Sequence, residues 1–133
     1  MASVQRTLLI EAPAESVWDA VRDFGALHRR LVPGFVRDTK LEGDARTVTF
    51  GNGTVARELL VDCDDGKRRL VYAVVSERIQ HYNAVVQIEA DGADRTRLIW
   101  TIDLLPNAAA PYIEGQMQQA CAVMKETLEQ GAK

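Results

Sequence analysis

The sequence has few of the residues that build metal or disulfide sites: two cysteines and two histidines among 133 residues. Cys63 and Cys121 lie far apart without a Cys-x-x-Cys spacing, so we interpret both as small buried apolar residues in a reducing compartment. The sequence also lacks a His-rich metal spacing, a nucleotide-binding glycine motif and a Gly-x-Ser-x-Gly nucleophile motif. We therefore expect no disulfide, no metal site and no cofactor.

The sequence also has no large excess of charge of one sign. Sixteen basic and 19 acidic residues give a formal net charge of −3. A nucleic-acid-binding protein usually has an excess of clustered basic residues, which this composition does not show. No apolar stretch of about 18 residues occurs, and residues 1–4 do not resemble the start of a signal peptide. We expect a cytoplasmic protein with no membrane span and no nucleic-acid partner.

The chain instead shows the patterns of a strand, short helices, further strands and a long helix. A β-rich segment at 3–11 precedes a short amphipathic helix at about 14–23 and further helical turns at about 26–31. The next six segments have strand character, and turn-forming residues separate most of them, which predicts antiparallel neighbours. They span residues 34–42, 45–51, 54–63, 68–78, 81–90 and 95–105.

The segment after Asn107 predicts a long amphipathic helix that Gly131 can end. A sheet and a helix must each bury one apolar face, so we expect the helix to lie across a twisted seven-stranded antiparallel sheet, with a cavity between them. At 133 residues the chain fits one α+β domain that spans 1–133.

This layout and four local strings resemble the START and polyketide cyclase/dehydrase superfamily (SRPBCC). The strings are SVWDAVRDFGALHRRLVPG, DCDDGKRRLVY, HYNAVVQIEADG and RLIWTIDLLP. The resemblance implies a helix-grip fold, in which a curved sheet wraps a C-terminal helix with two short helices between strands 1 and 2. It also implies a hydrophobic small-molecule partner, because the superfamily includes lipid carriers, plant hormone receptors and aromatase or cyclase domains.

Alternation along the strands predicts which side chains face the cavity. The inward set carries the large aromatic side chains and no charge, which suits a ligand pocket as well as a packed core. On the strands it comprises Leu70, Tyr72, Val74, Tyr82, Ala84, Val86, Ile88, Leu98, Trp100, Ile102 and Leu104. On the long helix we expect Ile113, Gln116, Met117, Ala120 and Met124 to close the floor.

Glu58 is the one candidate for acid or base chemistry. Periodicity leaves its direction open, because Glu58 and Leu60 share one strand face while Arg57 and Leu59 share the other. The string Arg57-Glu58 resembles the Arg-Glu pair of the plant hormone receptors, which implies a glutamate that points into the pocket. The predicted inward set offers it tyrosine hydroxyls but no obvious cation.

The string Gly51-Asn52-Gly53 predicts a hairpin tip, and the resemblance implies that this tip is a mobile gate over the pocket mouth. Three functions remain open at this point. The first is a binding or carrier module for a hydrophobic molecule, and the second is a cyclase or dehydrase that uses Glu58 as a general acid or base. The third is a protein-interaction subunit with a vestigial pocket. The sequence fits a monomer and a homodimer equally well.

Overall fold

The computed structural model describes residues 1–132, and it shows the predicted order of strands and helices. The alternating segments form seven strands, and the two strongest amphipathic segments form helices. The strands are β1 (Ala2–Ile10), β2 (Val36–Glu42), β3 (Ala45–Phe50), β4 (Val55–Asp64), β5 (Arg69–Val75), β6 (His81–Ala90) and β7 (Thr96–Leu105). The helices are α1 (Ala14–Arg22) and α2 (Ala110–Gly131).

The seven strands form one antiparallel sheet in the order β1-β7-β6-β5-β4-β3-β2. Hairpins connect β2 through β7, whereas β1 pairs with the last strand. The register shifts between Val36 and Asp38 and between Leu60 and Asp62, and bulges of this kind bend a strand and increase its twist. The sheet therefore curves around α2, and the predicted helix-grip α+β fold is confirmed.

The connection between β1 and β2 differs in detail from the two short helices that the sequence predicts. α1 ends at Arg22, and the second predicted helix is a 3₁₀ turn (Phe24–Ala26) followed by one π-helical turn (Leu27–Leu31). A Cβ atom placed on Gly25 would lie 3.3 Å from the Cβ atom of Leu41. The 3₁₀ turn therefore passes so close to β2 that a glycine is favoured there.

α1 is held against the tip of the β4–β5 hairpin by Asp65. Trp18 Nε1 and Arg22 Nε donate hydrogen bonds of 2.9 and 2.8 Å to Asp65 Oδ1. These two donors hold the pKa of the Asp65 carboxyl below its usual range.

No helix in the described residues, 1–132, is long and apolar enough to cross a membrane.

α2 packs along β1 and buries one stripe of side chains against the concave face of the sheet. Lys125 Nζ anchors its C-terminal half by donating to the Leu9 carbonyl at 2.6 Å. The stripe comprises Ile113, Met117, Ala120, Cys121, Met124 and Leu128. Burial raises the pKa of the Cys121 thiol to about 11, so this thiol stays protonated at neutral pH.

Candidate functional site

The strand residues that alternation assigns to the interior lie on the concave face, and most of them are buried in one hydrophobic core. Val74, Tyr82 and Trp100, and also Gln116 on α2, are partly exposed. The buried members are Leu70, Tyr72, Ala84, Val86, Ile88, Leu98, Ile102, Leu104, Ile113, Met117, Ala120 and Met124. These side chains pack into the core beneath α2.

Glu58 lies inside the protein, where it forms an ion pair. It is 6% exposed, and Arg46 on the neighbouring strand is 3% exposed. The two residues are direct cross-strand partners of β3 and β4. Arg46 Nε and Nη2 lie 2.8 and 2.7 Å from the same carboxylate oxygen, Oε1. The expectation that no cation faces Glu58 was therefore wrong.

The remaining contacts of Arg46 hold its guanidinium group in one orientation. Its Nη1 donates to the Phe24 carbonyl at 3.1 Å, and its Cζ atom lies 3.8 Å from the centre of the Phe24 ring. The centre of the Tyr72 ring lies 5.1 Å from the same Cζ atom. A guanidinium group close to two aromatic rings gains cation–π attraction, which strengthens when water is excluded. The 3₁₀ turn after α1 thus positions the cation of the site.

Two tyrosines and a tryptophan extend this polar cluster across the sheet. The rings of Tyr72 and Tyr82 lie 6.5 Å apart, at an angle of 37°. Burial raises the pKa of Tyr72 and of Tyr82, and the negative charge of Glu58 raises both further. The indole nitrogen of Trp100 lies near the Tyr72 hydroxyl, but it makes no hydrogen bond of normal length and angle. We call these residues, with Arg46 and Glu58, the inner cluster.

The inner cluster suits recognition of a polar group more than nucleophilic chemistry. Because their pKa values are raised, Tyr72 and Tyr82 keep their protons at neutral pH and remain able to donate hydrogen bonds. Oε1 of Glu58 is already occupied by two N–H groups of Arg46. The cluster therefore offers tyrosine hydroxyl donors and a carboxylate whose charge is balanced by Arg46, all within apolar surroundings.

A cleft of about 250 Å³ lies where the predicted gate meets the predicted floor. Three residues from the sequence prediction, Gly51, Asn52 and Gln116, line it. It contains no residue of the inner cluster. The full lining is Gly34, Phe35, Phe50, Gly51, Asn52, Gln116 and Gln119.

The hairpin tip at the cleft packs tightly against the turn before β2. The Gly51 amide donates to the Phe35 carbonyl at 2.9 Å, and a Cβ atom on Gly51 would lie 2.5 Å from the Gly34 carbonyl oxygen. Phe35 and Phe50 form an edge-to-face pair with ring centres 5.8 Å apart, and both rings pack against the core. These two rings separate the cleft from the interior. Neither ring was among the residues predicted from the sequence.

A family model described as polyketide cyclase/dehydrase and lipid transport matches residues 1–129. None of the curated proteins matches the sequence.

Several solved structures share the fold. A solution NMR structure of a Thermobifida fusca protein is 28% identical, with a TM-score of 0.80, and the match covers 99% of this chain and 93% of that chain. The Zhui aromatase/cyclase from a Streptomyces species is 17% identical, with a TM-score of 0.72 and coverage of 98% and 93%. A Thalictrum flavum norcoclaurine synthase mutant, bound to a transition-state analogue, is 17% identical, with a TM-score of 0.74 and coverage of 99% and 96%. At 17% identity, the two enzymes show a common fold alone.

Proposed function

Because the chain belongs to the polyketide cyclase/dehydrase and lipid transport family, we propose that residues 1–133 form one domain that binds a small hydrophobic molecule between the sheet and α2. The molecule is lipid-like or polyketide-like, and its polar group meets the inner cluster. The supporting observation is the ion pair between Arg46 and Glu58, which lies inside an otherwise apolar core.

A buried ion pair usually stabilises a protein core no better than apolar side chains of the same volume. Removing two charges from water costs several kcal/mol per ion, and hydrophobic residues of similar volume are often as stable or more stable by about 1–4 kcal/mol. We therefore interpret the pair as a functional feature whose stability cost is tolerated because it orients a ligand.

The cleft at the hairpin tip is the proposed entrance. Its volume of about 250 Å³ is slightly below the range of about 300–1,000 Å³ that is usual for ligand pockets. A ligand that displaces Phe35 and Phe50 would extend this space into the core. Three residues, Gly51, Asn52 and Gly53, would then act as the gate, and Gln116 would mark the floor.

The test combines ligand identification with entry kinetics. Native mass spectrometry of freshly purified protein should show a bound small molecule, and the fluorescent apolar amine phenylnaphthylamine should bind and be displaced by that molecule. Phe50→Ala should raise the association rate of the amine severalfold because it removes one ring of the aromatic pair. Val55→Ala is the control, since this neighbouring side chain is 59% exposed. The proposal fails if no apolar molecule binds, and that result would favour the protein-interaction subunit.

A cyclase or dehydrase activity is the second candidate, and the proximity of Glu58 to the protonated Tyr72 favours it. A tyrosine hydroxyl that keeps its proton could polarise a substrate carbonyl while the carboxylate accepts a proton. Turnover of a poly-β-carbonyl substrate that disappears in Glu58→Gln would establish this function. Ligand binding without turnover in the wild type would instead support the carrier.

A further inference from the structure

Arg6 is a second arginine on the concave face, and it lacks a counter-charge. It shares one face of β1 with the buried residues Val4 and Ile10, whereas the alternate residues of that strand are exposed. The side chain as a whole is partly exposed, but its Nε atom is enclosed and has no hydrogen-bond partner. Within residues 1–132 no ion pair includes Arg6. Buried hydrogen-bond donors nearly always have an acceptor, so the missing acceptor of Arg6 Nε needs an explanation.

Trp100 provides a second enclosed donor at the adjacent position. Arg6 and Trp100 are direct cross-strand partners of β1 and β7, which places their Cβ atoms about 4.5–5.5 Å apart. The indole Nε1 of Trp100 is also buried without a hydrogen-bond partner. Two N–H groups at paired positions of one strand face thus lack an acceptor, and Trp100 joins this pair to Tyr72 and the rest of the inner cluster.

The charges on the concave face point to an anionic acceptor. Among the inward strand positions, only Arg6, Arg46 and Glu58 are charged, and the last two neutralise each other. One positive charge therefore remains. The nearby Cys121 on α2 cannot balance it, since burial raises the pKa of this thiol to about 11 although the positive charge of Arg6 opposes the shift.

We propose that Arg6 and Trp100 form a subsite for the acidic group of the ligand, so that the bound molecule is a hydrophobic acid rather than a neutral lipid. This inference rests on the proposed function and specifies its ligand class. The acid would receive a charge-assisted hydrogen bond from Arg6 and a neutral one from Trp100. Because Trp100 belongs to the inner cluster, the acidic group would meet that cluster, and the apolar body would extend between the sheet and α2.

Two fluorescent probes of matched shape test the charge preference. Anilinonaphthalene sulfonate and phenylnaphthylamine share the same two ring systems, and only the former carries an anionic group. Arg6→Met should weaken binding of the sulfonate by about 10- to 100-fold and leave binding of the amine within about twofold. Trp100→Phe keeps an aromatic ring but removes the N–H group, and should cause a smaller loss for the sulfonate alone. Arg97→Met on the exposed face of β7 is the control and should change neither affinity.

Folding and binding can be separated in the same experiment. Arg6→Met removes an unpartnered donor, so its unfolding midpoint should equal or exceed that of the wild type, and Arg6→Lys should keep part of the preference for the sulfonate. An equal loss for both probes would show that Arg6 acts through packing, and an unchanged sulfonate affinity would exclude the subsite. Wild-type binding of the amine without any preference for the sulfonate would overturn this inference alone. Failure of both probes to bind would overturn the proposed function as well.

Discussion

Replacing the buried ion pair one residue at a time, and then together, should reveal that its two members depend on each other. Arg46→Met leaves Glu58 as a buried carboxylate without its cation and also removes the hydrogen bond to the Phe24 carbonyl. We expect a loss of about 3–5 kcal/mol in the free energy of unfolding, because that is the usual cost of an uncompensated buried charge. Glu58→Leu should cost a similar amount, since it leaves the guanidinium group unpaired.

The double variant Arg46→Met/Glu58→Leu should recover most of this loss. With both charges removed, the apolar side chains fill a similar volume, and the free energy of unfolding should return to within about 1 kcal/mol of the wild type or exceed it. The coupling energy from the double-mutant cycle would then be several kcal/mol. Urea unfolding followed by circular dichroism at pH 7 measures all four proteins, and binding of the copurified ligand should be weakened in the stable double variant.

An exposed ion pair serves as the control for this cycle. Arg95 Nε and Asp91 Oδ2 are 2.8 Å apart, as close as the buried pair, but both side chains are substantially exposed. Their coupling energy should be below about 1 kcal/mol. If the losses from Arg46→Met and Glu58→Leu simply add in the double variant, the buried pair is not coupled and the reasoning is refuted. Unchanged ligand affinity in the double variant would show that the pair does not serve binding.

Three further experiments test local features of the structure. Gly51→Ala should lower the free energy of unfolding by about 1–3 kcal/mol, because its Cβ atom would collide with the Gly34 carbonyl, and a stability equal to wild type would show that the hairpin tip moves freely. Asp65→Asn should be less stable than wild type at pH 7, and the difference should shrink as pH falls below the unfolded carboxyl pKa of about 3.9, because a lowered folded-state pKa stabilises the fold above the unfolded value and this effect is lost in acid. A difference that grows in acid would contradict this assignment. Cys63, which the sequence predicted to be buried, is only partly buried, so Cys63→Ser is the background for a test of Cys121. The Cys121 thiol should react with a disulfide reagent at pH 8 only after unfolding, and prompt reaction in the native protein would contradict its burial.

The order of strands and helices was predictable because it depends on local patterns. Alternation, hairpin turns and helical spacing each extend over a few residues, and they located every strand to within a few positions. The structure differs from the sequence prediction where tertiary packing determines the backbone conformation. One example is the predicted helical segment at 26–31, most of which forms a π-helical turn. β5 likewise ends at Val75, whereas the sequence pattern predicts a strand to residue 78.

The candidate site was only partly predictable, because its central contact depends on strand register. Glu58, Tyr72, Tyr82 and Trp100 could be selected from alternation and resemblance. The partner of Glu58 could not, since only the pairing of β3 with β4 shows that Arg46 lies opposite it. The roles of the predicted residues in ligand binding stay predictions.

Arg6 and Arg46 could not be predicted as inward-facing from the sequence, and the physical reason is the same for both. Alternation assigns charged side chains to solvent, because an isolated buried charge costs more than a strand face normally gains. Arg6 and Arg46 nevertheless occupy the concave face, the first among Val4, Leu8 and Ile10, and the second in line with Val48 and Phe50. Positions that break the alternation of apolar and polar residues are informative, because proteins commonly depart from such patterns at functional sites. A charge in phase with the apolar residues of a strand is thus the sequence signal that points to this candidate site.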